Sequence, residues 1–287
     1  MKNLLIYIVL ISPVLSWSQK AEMSLDAVTS LEKLSWSIAG NMKGENPNVF
    51  SELQWKNVVG VGMTTDNYVD IHRRFGVGLQ ADLMRFVSGE VTDTDYEQDN
   101  RVNQVFYARE DANKGFSASL SPLLQFKIVD RSVFQMTIGA GHQWTSKKFY
   151  LVNAESNLNS SYQAFWKGPV GKLKSHYKLG SFRFQASSTY SQVNYNAKAN
   201  WNLIDEFERP VSFRHEAKGF VWFNELALLY PLKSIFHIKA SVKHSYSSTG
   251  KGIDILYKVD GSRPRTQLND VTNQAMMLSV GVVMVWK

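Results

Sequence analysis

The sequence predicts an all-β protein, a transmembrane antiparallel β-barrel of about ten strands, and three observations carry that prediction. Apolar and polar residues alternate with a period of two through nearly all of the chain after residue 30, which sets one face of each segment on an apolar medium and the other on a polar one. The first eighteen residues read as an export signal. The alternating segments are joined by connections that are short and long by turns, as in barrels with tight periplasmic turns and extended outer loops.

Within residues 1–18, Lys2 supplies the positive n-region, Leu4 to Leu15 the apolar stretch, and Ser16-Trp17-Ser18 a small-x-small cleavage site before Gln19. Residues 19–30 are polar and are expected to form a periplasmic segment ahead of a barrel over 31–287. No other stretch approaches the ~20 apolar residues that a membrane helix needs, so any crossing must be made by strands. Strands are expected at 31–42, 49–66, 73–91, 103–127, 132–149, 169–178, 181–202, 213–230, 234–250 and 270–287. Alternation is clearest where Phe75, Val77, Leu79, Ala81 and Leu83 oppose Gly76, Gly78, Gln80 and Asp82. It is equally clear where Phe236, Ile238, Ala240 and Val242 oppose His237, Lys239, Ser241 and Lys243. Long loops are expected at 92–102, 150–168, 203–212 and 251–269. An even strand count places both barrel ends in the periplasm and these loops, with Asp93 and Asp95, outside. Aromatic residues fall near the predicted strand ends, as interfacial girdles require, and Val285-Trp286-Lys287 nearly matches the aromatic terminus of bacterial barrels.

Composition narrows the function classes. At 287 residues, 44% of them hydrophobic, the chain suits one large barrel domain. A net charge of +7 suits anionic lipid head groups or acidic partners, while the absence of any Arg/Lys-rich run or zinc-finger spacing argues against nucleic acid. The absence of cysteine removes disulfides, thiolate metal sites and cysteine nucleophiles. No cofactor or metal is expected.

Several stretches resemble the omptins, ten-stranded outer-membrane endopeptidases of Gram-negative bacteria. Ser51-Glu52-Leu53-Gln54-Trp55-Lys56 looks like their S-x-L-x-W-K strand, and Gly89-Glu90-Val91-Thr92-Asp93-Thr94-Asp95-Tyr96 is similar to their G-N-M-x-D-x-D-W. Gly139-Ala140-Gly141-His142-Gln143 resembles the fifth strand of the family and Tyr190-Ser191 the seventh. The resemblance implies a water held between an Asp–Asp pair and a His–Asp pair, with imidazole as the base because its pKa lies near working pH. Asp93 and Asp95 match the first pair residue by residue. The second falls on Asn200-Trp201-Asn202, and neither amide can take a proton from water near neutral pH. Alternation also sets Asn200 in phase with lipid-facing Phe184, so a bulge would be needed to turn it inward. A shifted alignment brings Asp205-Glu206-Phe207 there, again without histidine. His215, early in the eighth strand near the outer rim, is the rescue candidate for the base. Asp70-Ile71-His72 is a literal D-x-H, but it falls at a periplasmic turn across the membrane from Asp93. His142 is expected in the lumen.

The family also binds lipopolysaccharide on the outer face of its fifth strand. The matching run, His142-Gln143-Trp144-Thr145-Ser146, lacks the basic residue, although Lys147 and Lys148 follow at once, so the resemblance leaves lipopolysaccharide dependence in doubt while basic strand ends near the leaflet are still expected. The expectation is therefore a monomeric omptin-like barrel, catalytically impaired, with a binding, adhesion or assembly role. Its expected partners are outer-membrane lipid and either lipopolysaccharide or an extracellular peptide. The alternative is a divergent endopeptidase in which Asp93 and Asp95 hold the water. In either case a wide outer mouth is expected to be wet.

Overall fold

The structure, a computed structural model, describes residues 20–286, and the expected export signal at 1–18 lies outside them. Twelve strands follow in order: β1 (Ala21–Ile38), β2 (Ser51–Asp70), β3 (Phe75–Gln98), β4 (Val102–Asp111), β5 (Gly115–Asp130), β6 (Phe134–Asn153), β7 (Leu158–Leu179), β8 (Phe182–Asn200), β9 (Phe213–Pro231), β10 (Phe236–Thr249), β11 (Gly252–Leu256) and β12 (Arg265–Trp286). All pair antiparallel, and β1 joins β12 to close a ring. Because β4 continues β5 beside β3, and β11 continues β10 between β9 and β12, the twelve segments occupy ten positions around the ring.

Two expectations are corrected. Strand β1 begins at Ala21, so residues 21–30 are wall, not a separate periplasmic segment. Their polarity belongs to the lumen row, where Glu22, Ser24, Asp26 and Ser30 are buried and Leu25 is exposed. Most of the expected long loops are also strand. β3 runs to Gln98, β6 and β7 meet across residues 154–157, and only residues 201–212 and 257–264 remain long outer connections after β6. These segments stay in the ladder because their inner rows are apolar enough to bury: Leu151, Tyr162, Ala164 and Leu268 all point into one core.

Short turns at 71–74, 131–133, 180–181 and 232–235 define the periplasmic end. Outside, an apolar band that includes Leu25, Leu83, Leu124, Leu226 and Leu278 runs between aromatic residues such as Phe75, Phe182 and Tyr230 below and Trp144, Tyr190 and Trp222 above.

The lumen is filled in two layers. In the lower one, Lys239 Nζ sits 2.9 Å from Asp26 and 2.8 Å from Glu225, with Lys243 at 3.8 Å from each. Lys172 and Lys174 share Asp66 at 2.9 and 3.0 Å, and Arg183 holds Glu22 at 3.0 Å. Charges this deep persist only when paired. Above them Lys147 binds Glu32 at 2.7 Å, and then an aromatic layer begins in which Phe86 stacks on Phe149 at 4.8 Å and Trp55 on Tyr162 at 5.5 Å.

One irregularity matters for function. Below it, the even residues Met84 and Phe86 of β3 face inward; above it, the odd residues Val91, Asp93 and Asp95 do. Register shifts at Lys56/Val59 and Val59/Gly60 mark the bulges that reverse the phase in both β2 and β3. Gly89 sits there at φ +154°, and a Cβ would fall 2.9 Å from Val58 Cγ2 and 3.0 Å from Val58 Cα. Gly89→Ala is therefore expected to cost about 1–3 kcal/mol of stability in chemical unfolding. An unchanged midpoint would show that the bulge tolerates a side chain.

Candidate functional site

At the outer end the barrel opens into a cleft of about 760 Å³. Its walls are mostly apolar: Trp36 and Ile38 from β1, Leu53 from β2, Phe213 from β9, and Leu203, Ile204 and Phe207 from the 201–212 connection. Asp93, Asp95, Glu110, His215 and Asp254 are set into this surface. The lining of the mouth is thus largely apolar.

Val87 is the last exposed apolar residue of β3, so Asp93 and Asp95 stand beyond the membrane band. Burial in the cleft, then the charge of Asp95, pushes the Asp93 carboxyl up to about 7, against a backbone hydrogen bond from Thr94. Asp93 Oδ1 is buried without a hydrogen-bond partner. Asp95 is also raised by burial, while its cross-strand neighbour Ser51 hydrogen-bonds the carboxylate and opposes the rise. No cation pairs with either carboxylate among the described residues. The site thus presents two carboxyls without a cationic partner, one with a free oxygen, in an apolar surround, which suits a cationic guest.

His215 lies on the opposite wall, directly across the ladder from Asp254 of β11. Its Nε2 is 3.2 Å from Asp254 Oδ1, and Tyr162 Oη lies 2.8 Å from Nδ1. Tyr162 Oη in turn lies 2.5 Å from Tyr195 Oη. The ring is fully buried, edge-on to Trp36 with centroids 4.9 Å apart and beside Phe213 at 5.2 Å. Nδ1 is engaged by Tyr162, whereas Nε2 faces Asp254 without making a hydrogen bond, and the ring has no solvent-exposed surface. A base needs a free lone pair aimed at its proton. As held here, His215 exposes neither nitrogen to solvent.

The two asparagines lie elsewhere. Asn200 occupies the outward row of β8 between inward Ala199 and Trp201, because no bulge interrupts the alternation from Gln185 upward. Asn202 is a tie: its Oδ1 accepts from Asn159 N at 2.8 Å and Ser160 Oγ at 3.0 Å, and its Nδ2 donates to the Asn157 carbonyl. Asp205 is exposed and bound to Arg209 at 2.8 Å. His142 faces outward, tilted against Trp144 with centroids 4.4 Å apart, not into the lumen. Lys147 points inward to Glu32, which leaves Lys148 as the outward cation of that pair. The reading of the residues missed Asp254 and Glu110, since both were assigned no site role. The signal for Asp254 was present in the short alternation Gly252-Ile253-Asp254-Ile255-Leu256, hidden inside an expected loop.

The profile of the family described as "Pom: Protochlamydia outer membrane protein" matches residues 30–285. Among solved structures, the outer membrane protease OmpT from Escherichia coli is similar at a TM-score of 0.70 and 13% identity, over 93% of this chain and 96% of that one. Outer membrane protein OprG from Pseudomonas aeruginosa aligns at a TM-score of 0.40 and 12% identity over 94% and 96%. A Pseudomonas aeruginosa FadL homologue aligns at 0.31 and 8% over 93% and 90%. At 13% identity the likeness to OmpT is one of fold alone. No curated protein matches the sequence.

Proposed function

The chain belongs to the Pom, or Protochlamydia outer membrane protein, family and is a bacterial outer-membrane β-barrel, and on that premise we propose that it is a surface receptor whose outer cleft captures cationic, apolar-flanked peptide segments without histidine-dependent hydrolysis. One observation carries this reading. The cleft offers two carboxylates with no cationic partner on one wall, while the one histidine lining it among the described residues, His215, has no solvent-exposed surface and is held between Tyr162 and Asp254. A peptide lysine or arginine would neutralise Asp93 and Asp95, and its apolar neighbours would cover Phe50, Ile204 and Phe207.

A second reading has its own support. Asp93 and Asp95 lie on one face of β3, and the Asp93 carboxyl is pushed up to about 7 partly by the charge of Asp95; were the pair to share a proton and activate water, the cleft would be an endopeptidase centre.

A row of outward cations supports contact with anionic head groups of the outer leaflet, lipopolysaccharide among them. Cross-strand register places Arg85, Phe116, Lys148, Gln163, Lys198 and Arg214 on one continuous row. Lys148 lies over the Tyr150 ring at 4.9 Å and Lys198 over Phe165 at 5.9 Å.

The test uses refolded barrel and a quenched-fluorescent peptide library with dibasic sites, with and without lipopolysaccharide. The expected result is saturable binding without cleavage, weakened about tenfold or more by Asp93→Asn/Asp95→Asn, the loss of charge-assisted hydrogen bonds being worth at least that. Cleavage abolished by Asp95→Ala would replace the receptor reading with the peptidase one. The cation row predicts tighter retention of lipopolysaccharide than of a neutral lipid, and equal retention would remove it from the account.

A further inference from the structure

Strand β4 is paired on one side only. Its ladder to β3 runs from Asp111 opposite Glu90 to Val102 opposite Gln98. On its other side, the described residues supply one partner, Val152 opposite Asp111. Strand β6 ends at Asn153 and turns into β7, so β4 rises past it with the second edge of Val102–Glu110 uncovered. Alternate residues of that edge present free N–H and C=O groups, the template onto which another extended chain adds.

A bulge leaves Val105 without a partner in β3 and Asn103 stands at φ +56°, but three features favour pairing along the rest of this edge. It carries no lysine or proline, and the run Gln104-Val105-Phe106-Tyr107-Ala108 is uncharged and rich in residues that favour strands. Val102, Val105, Phe106 and Tyr107 are all exposed. The edge is also continuous with the cleft, because Phe106, Ala108 and Glu110 line it. Phe106 and Ala108 stand directly across the ladder from Asp95 and Asp93.

We infer that β4 takes an extended peptide segment of another protein as an added strand, with alternate side chains of that guest, cationic ones, directed over Ala108 toward Asp93 and Asp95. The inference rests on the receptor reading above and specifies how the guest is held: main-chain hydrogen bonds to β4 supply affinity, and the acidic cleft supplies selection for positive charge. Charge decides against a second copy of this chain as the occupant. Edge-to-edge joining would bring two clefts, each holding Asp93, Asp95 and Glu110, against one another.

The experiment uses full-length refolded barrel and a labelled, acetylated (Lys-Val)₄ amide. Two derivatives carry N-methyl groups on the lysine amides or on the valine amides. An added strand uses one of its own edges, so one methylated set is expected to weaken binding about tenfold or more and the other by less than about twofold. A (Glu-Val)₄ control is expected not to bind. Because the chain has no cysteine, Tyr107→Cys offers a single trapping point, and disulfide formation with single-cysteine peptides is expected to peak in one register and to fall at its neighbours. Equal losses from both methylated sets, or trapping without a preferred register, would overturn strand addition. If (Lys-Val)₄ binding persists through both methylations and is lost in Asp93→Asn/Asp95→Asn, the receptor reading survives and strand addition fails. If no peptide binds a folded barrel, both fail. A dimer in sedimentation that the peptide dissolves would make a second copy the occupant.

Discussion

Barrel carrying Lys239→Met is expected to unfold with about 3–5 kcal/mol less free energy than the parent, the usual cost of stranding a buried charge. Lys239 lies 2.9 Å from Asp26 and 2.8 Å from Glu225, and all three side chains are nearly inaccessible. Without the ammonium, two carboxylates remain with only Lys243, at 3.8 Å from each. The double variant Lys239→Met/Asp26→Asn keeps Glu225 and Lys243 as a balanced pair and is expected to recover most of the loss, since removing both partners of a buried pair is often neutral. Chemical unfolding of the three proteins in one detergent, read by tryptophan fluorescence, checks this. A loss below about 1 kcal/mol for the single variant would mean that water screens the lower lumen as it does a surface pair.

The second large effect is on binding and follows pH. The Asp93 carboxyl, raised to about 7 by burial and by Asp95, is neutral at pH 6 and ionised at pH 8. A cationic peptide that needs the ionised carboxylate should therefore bind up to about tenfold more tightly at pH 8 than at pH 6, the ratio of the ionised fractions at the two pH values. Asp93→Asn should flatten the profile. The same proton has a stability consequence of opposite sign. Between about 4 and about 7 the folded protein keeps a proton that the unfolded chain has released, so this group makes the barrel less stable as pH rises through that window. Isothermal titration at both pH values decides the first point; a flat profile in the parent protein would place Asp93 in contact with bulk water.

The period-two alternation was enough to read the barrel, its strand number and its direction, because lipid and lumen impose opposite demands on adjacent residues. It failed where neither demand applied. Above the membrane both faces of the wall were expected to meet water, so Leu158 to Gly168 looked like loop; in fact Tyr162, Ala164 and Trp166 bury an inner row against Trp55 and Tyr195. The Asp93–Asp95 spacing was legible, but not what turns it inward. Simple alternation from Phe75 places odd residues toward lipid, and only the bulges at Asn57 and Gly89 reverse the phase. For His215 the sequence supplied the position without the partners, since Asp254 and Tyr162 reach it from strands 39 and 53 residues away.

The ion-paired lower lumen and the aromatic layer above it also bear on the cell that carries the protein. A wall of ten strand positions whose bore holds paired charges and packed rings is expected to pass few ions, so many copies could sit in one membrane without making it leaky; single-channel recording of the refolded barrel checks this. On the receptor reading, a segment held at the rim would then stay on the side from which it came.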